Sequence, residues 1–333
     1  MSRLDSYKAF VVEGEKSEVE GSIQELTEDD LPVGDVTVRI DWSSLNYKDG
    51  LAISGSAPII RRMPMTAGID FAGIVETSEN SDFAPGDQVV LTGWGVGEMH
   101  PGGFAQYARV KGEWLEKLPK GLNTKTAMAV GTAGFTSILC VMALEKAGLK
   151  EASGPIIVTG AAGGVGSIAV ATLSSLGYEV CAVTGRESSH EFLKSLGADS
   201  ILSRSELAEI PAKPLLSERW AGAIDPVGGT TLTRLLTEMK YGSAIAACGL
   251  AGGSNLKTTV LPFILRGIQL IGIDSVMCRR SLRRSAWNRI AIDLPLEKLS
   301  KITEVEPMSN LSELSKQIVK GQTQGRIVID VNK

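Results

Sequence analysis

The stretch that most constrains this chain runs from Pro155 to Val170: Pro155-Ile-Ile-Val-Thr-Gly160-Ala-Ala-Gly163-Gly-Val-Gly166-Ser-Ile-Ala-Val170. Ile156, Ile157 and Val158 form a short β-branched run suited to a buried strand. Val165, Ile168, Ala169 and Leu173 then recur at helical spacing. The glycines between them must turn a strand into a helix. Free backbone amides and the positive end of the helix dipole make such a start a place for a pyrophosphate. Gly163 lets backbone approach the phosphates, and Gly166 permits close packing of helix on strand. The pattern is a variant of G-x-G-x-x-G, with Ala161 in the first place and an extra Gly160 ahead of it. Bare glycines also fit a turn with no ligand. The strand before, the helix after and a second strand over 179–183 favour a dinucleotide site.

The second strand bears on which dinucleotide. An NAD site places Asp or Glu near its end to hold the ribose 2′-hydroxyl. Here the strand ends Val183-Thr184-Gly185-Arg186, with no carboxylate at the tip and an arginine directly after. An arginine fork matches a 2′-phosphate, so NADPH is the preferred cofactor. The competing reading is a surface arginine held by Glu187.

A length of 333 residues leaves room for two domains with sizeable cores. The net charge of −4 provides no broad basic field, which argues against nucleic acid and anionic membrane as partners. The opening MSRLDSYKAF has no apolar core of signal-peptide length. Residues 156–178 lack charge but are the glycine-turn unit, too broken for a membrane span. Cys140, Cys181, Cys248 and Cys278 are scattered in mainly apolar runs. They read as reduced core thiols of a cytoplasmic protein.

The chain changes character along its length. Up to residue 127 it reads as mostly β, with alternation over 7–12 and 35–41 and short glycine-punctuated strands over 65–76, 88–91 and 113–118. Residues 93–97 and 101–107 read as loops beside a pocket. Residues 127–146 are apolar at helical spacing. Strands are then expected over 155–159, 179–183, 199–202, 220–225, 242–248 and 268–273, with helices between, as over 190–196 and 230–239. A helix over 281–294 follows, and a strand over 327–331 returns to the β domain. The fold class is α/β: a compact β-rich domain, 1–127 with 297–333, and a doubly wound dinucleotide-binding domain over 128–296.

By these features the chain resembles the zinc-free, quinone-oxidoreductase-like members of the medium-chain dehydrogenase/reductase superfamily. Such proteins join a GroES-like catalytic domain to a Rossmann domain. Several strings resemble the acrylyl-CoA reductase branch: Trp42-Ser-Ser-Leu-Asn-Tyr-Lys-Asp49, Gly68-Ile-Asp-Phe-Ala-Gly73, Leu91-Thr-Gly-Trp-Gly-Val-Gly97, Gly131-Thr-Ala-Gly-Phe-Thr136, Trp220-Ala-Gly-Ala-Ile-Asp225, Ala246-Ala-Cys-Gly-Leu-Ala-Gly252 and Gln324-Gly-Arg326. Zinc members hold their catalytic metal where this chain carries Asn46, Ile69 and the uncharged region 131–133. The two histidines, His100 and His190, have no partner at metal spacing. No metal is expected.

The resemblance implies metal-free hydride transfer from NADPH to an activated carbon–carbon double bond, acrylyl-CoA to propionyl-CoA. The alternatives are an NADPH:quinone oxidoreductase and a non-catalytic NADPH-binding sensor. Tyr47 is the leading polar candidate. The resemblance implies a cofactor contact there, and its hydroxyl either orients substrate and relays a proton or only packs beside the ring. Asn46 either donates to the substrate carbonyl or caps the helix that begins beside it. Asp70 is expected to orient neighbouring backbone or Lys48. Matching strings carry over further cofactor contacts: Ala162, Gly163, Gly164, Val165 and Gly166 around the pyrophosphate, and Thr184, Gly185, Arg186 and Arg204 at the 2′-phosphate. Leu250 and Ser275 are implied at the nicotinamide end, and Arg326 either closes the cofactor from the tail or forms a surface ion pair. Two basic clusters, Arg61 with Arg62 and Arg279, Arg280, Arg283 and Arg284, are candidates for CoA phosphates. Otherwise they are a solvated helix face or a dimer rim. A homodimer is implied by the superfamily.

Overall fold

The β-branched runs of the second half form the middle of a six-stranded parallel sheet. Its order is Ser200–Ser203, Val180–Thr184, Ile156–Val158, Trp220–Asp225, Met239–Ala247, Gln269–Gly272. The winding reverses at Ile156–Val158, which is the doubly wound arrangement. Ile156, Ile157 and Val158 have no exposed surface, as a strand covered on both faces requires. Gly164–Ser175, His190–Leu196 and Gly229–Glu238 are helices between successive strands. Ile157, Val183, Leu235, Leu236 and Ile245 are joined in one apolar cluster.

The computed structural model describes residues 5–15 and 18–333; Met1–Leu4, part of the segment read as lacking a leader, lie outside them. The parallel sheet belongs to a compact unit of Ala133–Asp274 with Ile292–Ile302. The second unit holds the chain up to Thr132, Ser275–Ala291 and Thr303–Lys333. These limits differ from the expected 1–127, 128–296 and 297–333. Residues 128–132 and 275–291 cluster with the β-rich unit, and 297–302 with the parallel sheet.

In the β-rich unit the strand Val36–Leu45 is the hub. It pairs antiparallel with Asp70–Ser78, Tyr107–Val110 and Arg326–Asp330. Thr303–Pro307 pairs with Arg326–Asp330 at one edge, and Gln88–Thr92 leads to Glu116–Lys117 at the other. A smaller sheet joins Glu18–Leu26, Tyr7–Glu15 and Met65–Thr66. Val36, Val38, Ile40, Phe71, Val89 and Ile329, all without exposed surface, sit in this core. Register decides where the polar residues fall: Leu45 faces Ile327, Ser44 faces Val328, and Ser43 faces Phe71. The end of the hub strand, Asp70 and Arg326 therefore share one end of the sheet.

Two elements differ from the sequence reading. Residues 113–118 are not one strand: a 3₁₀ turn at Gly112–Trp114 precedes the two-residue strand Glu116–Lys117. The apolar helix runs Thr124–Lys146 but breaks at Gly131 (φ 54°, ψ −160°). By length and hydropathy it could cross a bilayer, yet 83% of its most apolar window is buried inside the protein, as in a core helix.

Candidate active site

The helix break builds a buried polar cluster in the β-rich unit. Gly131 is at positive φ, where a side chain is disfavoured. A Cβ there would also lie 2.5 Å from both Arg326 Nη2 and Ser44 Oγ. The break leaves the Thr132 N–H to donate to Asp70 Oδ2 at 2.8 Å and the Ala129 carbonyl to accept from Arg326 Nε at 3.1 Å. Asp70 also accepts from Ser44 N at 3.1 Å, Ser44 Oγ at 2.7 Å and Asn46 Nδ2 at 2.9 Å. With four donors and no exposed surface, its carboxylate is saturated.

Arg326 closes the cluster from the returning strand. It donates to Ser44 Oγ at 2.7 Å, Asn46 Oδ1 at 3.2 Å and the Leu45 carbonyl at 3.4 Å. It is 2% exposed, so it neither forms a surface ion pair nor extends a free guanidinium toward a cofactor. Burial lowers its pKa, opposed by the charges of Asp70 and Asp49. Asn46 is likewise held: its amide nitrogen donates to Asp70 and to the Ser44 carbonyl at 3.1 Å. Both amide hydrogens are committed inside the protein, so the expectation that Asn46 donates to a substrate carbonyl is corrected. Asn46 precedes the helix Tyr47–Ile53 as its N-cap, and its backbone N–H donates to Asp49 Oδ2 at 2.9 Å.

Asp49 has a second donor, Ile69 N at 2.9 Å. Its pKa is pushed up to about 8, first by burial and then by the nearby charge of Asp70. The sequence reading passed over Asp49, Ser44 and Thr132. The Asn-x-x-Asp spacing and the glycine within the apolar helix were the available signals.

Tyr47 opens that helix and is half-buried. Among the described residues no hydrogen bond engages its hydroxyl, whereas Lys48 is paired with Glu98 at 2.9 Å. Tyr47 is therefore the polar group of this segment left available to a ligand.

The phosphate cradle lies in the other unit. Gly163 is the N-cap of Gly164–Ser175. A Cβ on Gly163 would meet the Gly160 carbonyl at 3.3 Å, a tight contact that a shift of a few tenths of an ångström relieves. Gly166 differs: its Cβ would lie 2.4 Å from Gly160 O and 2.6 Å from Ala161 Cα. Helix and loop touch there. Ala162 is buried, while Gly164 and Val165 are half-exposed at the helix start.

One strand over, Thr184 is in register with Ser203, which brings Arg204 beside Gly185. A Cβ on Gly185 would meet Arg204 Nε at 2.9 Å and Arg204 Cζ and Nη2 at 3.0 Å. Arg186 is half-buried, with its N–H on Thr184 Oγ1 at 3.2 Å. A helix N-terminus at the glycine loop and the exposed Arg204 beside Gly185 fit a dinucleotide carrying a 2′-phosphate. Behind the cradle, Asp225 accepts from Thr159 Oγ1 at 2.5 Å and from the amides of Val227 and Gly228. Burial raises its pKa.

Comparison with known proteins agrees with this geometry. Residues 32–120 match the alcohol dehydrogenase GroES-like domain, and residues 164–294 match the zinc-binding dehydrogenase family. Acrylyl-CoA reductase AcuI of Ruegeria pomeroyi is 53% identical over 98% of this chain and 99% of its own. The chain belongs to the medium-chain dehydrogenase/reductase superfamily, in the branch that holds the acrylyl-CoA reductase relatives. The putative quinone oxidoreductase YhfP of Bacillus subtilis is 41% identical over 97% of this chain and 98% of its own. The crystal structure of the yhdH oxidoreductase from Salmonella enterica in complex with NADP superimposes with a TM-score of 0.95 at 53% identity, covering 97% of this chain and 99% of the other.

The zinc of the superfamily does not fit this medium-chain dehydrogenase/reductase. Among the described residues no three His, Cys, Asp or Glu side chains converge on one point. At the cluster, Asp70 is saturated and the Arg326 guanidinium already supplies the positive charge.

The arginine clusters divide on inspection. Arg283 is 2% exposed and donates to the Thr92 carbonyl and hydroxyl and to the Ser275 and Val276 carbonyls. It cannot meet a CoA phosphate; it pins the Ser275 segment. Arg280 pairs with Asp82 at 3.3 Å and Arg284 with Glu116 at 3.3 Å. Both line a cavity of about 450 Å³ that also holds Lys117 and Phe83. Arg61, Arg62 and Arg279 are exposed, as is Leu250 at 58%. Ser275 is half-buried.

Proposed function

We propose that this protein is an NADPH-dependent acrylyl-CoA reductase that saturates the activated double bond of the thioester to give propionyl-CoA. The reading rests on the full-length likeness to a reductase of that name, joined to a phosphate cradle that ends in arginine rather than a carboxylate. Bound NADPH would supply the hydride. Ala162, Gly163, Gly164, Val165 and Gly166 hold its pyrophosphate at the helix start, and Thr184, Gly185, Arg186 and Arg204 hold its 2′-phosphate. Tyr47 Oη, without a hydrogen-bond partner among the described residues, orients the thioester carbonyl and relays the proton that the α-carbon takes up. Asn46, Asp70 and Arg326 are positioning residues that fix the start of the Tyr47–Ile53 helix. Leu250 and Ser275 border the nicotinamide end.

Two measurements test this. Purified protein should oxidise NADPH with acrylyl-CoA, and Tyr47→Phe should lower kcat about 10²-fold or more while leaving NADPH affinity near wild type. A Tyr47→Phe enzyme with unchanged turnover removes the proton-relay role.

The likeness to YhfP favours quinone reduction as the second reading, which predicts turnover with benzoquinones and indifference to CoA. We also assign the catalytic domain to the β-rich unit and the cofactor domain to the parallel-sheet unit. The protein is read as a cytoplasmic homodimer acting on a small molecule, without nucleic acid or membrane. Four free cysteines support a reducing compartment. The sheet edge at Gln269–Gly272, paired on one side within the chain, and the exposed Val260, Ile264 and Leu265 support pairing with a second copy.

A further inference from the structure

The cavity beside Arg280 and Arg284 has no part in the chemistry described so far. It measures about 450 Å³ and is lined by residues of the β-rich unit alone, from the strand Glu116–Lys117 and the helix Arg280–Asp293 among others. On the helix Arg283, Trp287 and Ile290 are buried, whereas Arg280, Arg284 and Asn288, one turn after another, line the cavity. Lys117, an exposed partner of Asp87, lines it from the strand. Arginines on successive turns repel each other, and Glu116 holds both. Its Oε2 is 3.3 Å from Arg284 Nε and its Oε1 is 3.9 Å from Arg280 Nε. Glu116 is 4% exposed, so its carboxylate is a buried support beneath the two guanidinium groups. The cluster is not closed on itself. Glu116 Oε1 and Arg280 Nε are both buried, and neither has a hydrogen-bond partner. Arg280 instead reaches Asp82 through Nη2 at 3.3 Å, and that carboxylate is 62% exposed, a kind of pair worth about 0–1 kcal/mol. Arg284 meets Glu116 through Nε, and among the described residues its two terminal amino groups have no partner.

We infer that this cavity binds a phosphorylated nucleoside, the one carried by the CoA ester, with Arg280, Arg284 and Lys117 on its phosphate. Guanidinium groups held from beneath, with outer nitrogens to spare, suit an anion of several oxygens. A phosphate there replaces Asp82 as the partner of Arg280 at small cost, because that pair is exposed. The volume exceeds what a phosphate alone fills, and Phe83 and Pro119 add apolar wall for the nucleoside. The assignment to CoA rests on the reductase reading. An acrylyl group is too small to supply much contact, so nearly all that separates the thioester from free acrylate belongs to CoA. Binding energy from that remote end serves the reacting end. The fold places the cavity within reach. Glu116 pairs with Val90, which lies about 7 Å along its strand from Thr92. Thr92 pairs in turn with Asp70, in the cluster that fixes the start of the Tyr47–Ile53 helix. An extended pantetheine arm covers such a span.

Full-length protein is saturated with NADPH, so that the cradle of the other unit is filled, and titrated by calorimetry with adenosine 3′,5′-bisphosphate. The expected result is saturable binding that Arg284→Glu and the milder Arg284→Gln each weaken about tenfold or more. Kinetics then compare acrylyl-CoA with acrylyl-pantetheine, which lacks the nucleotide. Both variants should raise KM for acrylyl-CoA about tenfold or more and leave KM for acrylyl-pantetheine where it was. No binding of the bisphosphate, or binding that neither variant weakens, overturns the proposal. A KM that rises equally for the two thioesters overturns the assignment to CoA, as does a bisphosphate that binds through Arg284 without competing with acrylyl-CoA. Binding through Arg284 in a protein that does not turn over acrylyl-CoA at all upholds the nucleotide site and refutes the reductase reading.

Discussion

The guanidinium of Arg204 lies over Gly185, so close that a Cβ added at Gly185 would come within 2.9 Å of Arg204 Nε. An exposed cation at the tip of the second strand has no use for a bare ribose hydroxyl and every use for a 2′-phosphate. Arg204→Leu should raise KM for NADPH about 10- to 100-fold, the equivalent of one charge-assisted contact of about 1.5–3 kcal/mol. KM for NADH should change little. Steady-state kinetics with the two cofactors check this, and equal loss with both would mean that Arg204 does not read the phosphate.

The two glycines of the cradle should separate stability from binding. A Cβ on Gly163 meets one backbone oxygen, at 3.3 Å, whereas a Cβ on Gly166 strikes backbone at 2.4 Å. Gly163→Ala should lower the thermal midpoint far less than Gly166→Ala does, while weakening NADPH binding at least about tenfold. Gly166→Ala should lower both, by roughly 1–3 kcal/mol in stability. Differential scanning calorimetry and fluorescence titration distinguish the two. A Gly163→Ala protein as destabilised as Gly166→Ala would show that the loop, and not a ligand, requires that glycine.

Asp49 gives the fold a pH dependence of known sign. Its folded pKa is raised from 3.8 to about 8 by burial and by the charge of Asp70. Between those values the folded state keeps a proton that the unfolded state has lost. Stability contributed here therefore falls as pH rises from about 4 to about 8 and is level beyond. Asp70 and Arg326 are the other charged groups of the cluster, and Arg326 limits the effect. Asp49→Asn should flatten the slope, gaining on wild type at the alkaline end. Urea unfolding across that range measures it, and parallel curves for the two proteins would contradict the assignment.

The sequence made some of this plain and left some of it hidden. The helix expected over 190–196 is His190–Leu196, because a local apolar repeat and the following Gly197 define both ends. The six parallel strands were legible because β-branched runs covered on both faces leave few alternatives. Register was not. Nothing in the string shows that Ser44, Asp70 and Arg326 come to one end of a sheet, and so Arg326 was read as reaching outward when it is buried. Arg283 misled for the same physical reason. A run of arginines reads as a solvated face, yet Arg283 points inward, where backbone carbonyls of Thr92, Ser275 and Val276 accept from it. The break at Gly131 was signalled only by a glycine inside an apolar helical period, which a helix also tolerates.

The measurement that tests the central claim most directly is the loss of NADPH absorbance with acrylyl-CoA as acceptor, with a benzoquinone and with NADH run alongside. The account predicts fast, saturable turnover with the thioester and NADPH and far slower turnover when either is replaced. Turnover with the quinone alone, or equal use of NADH, would contradict it.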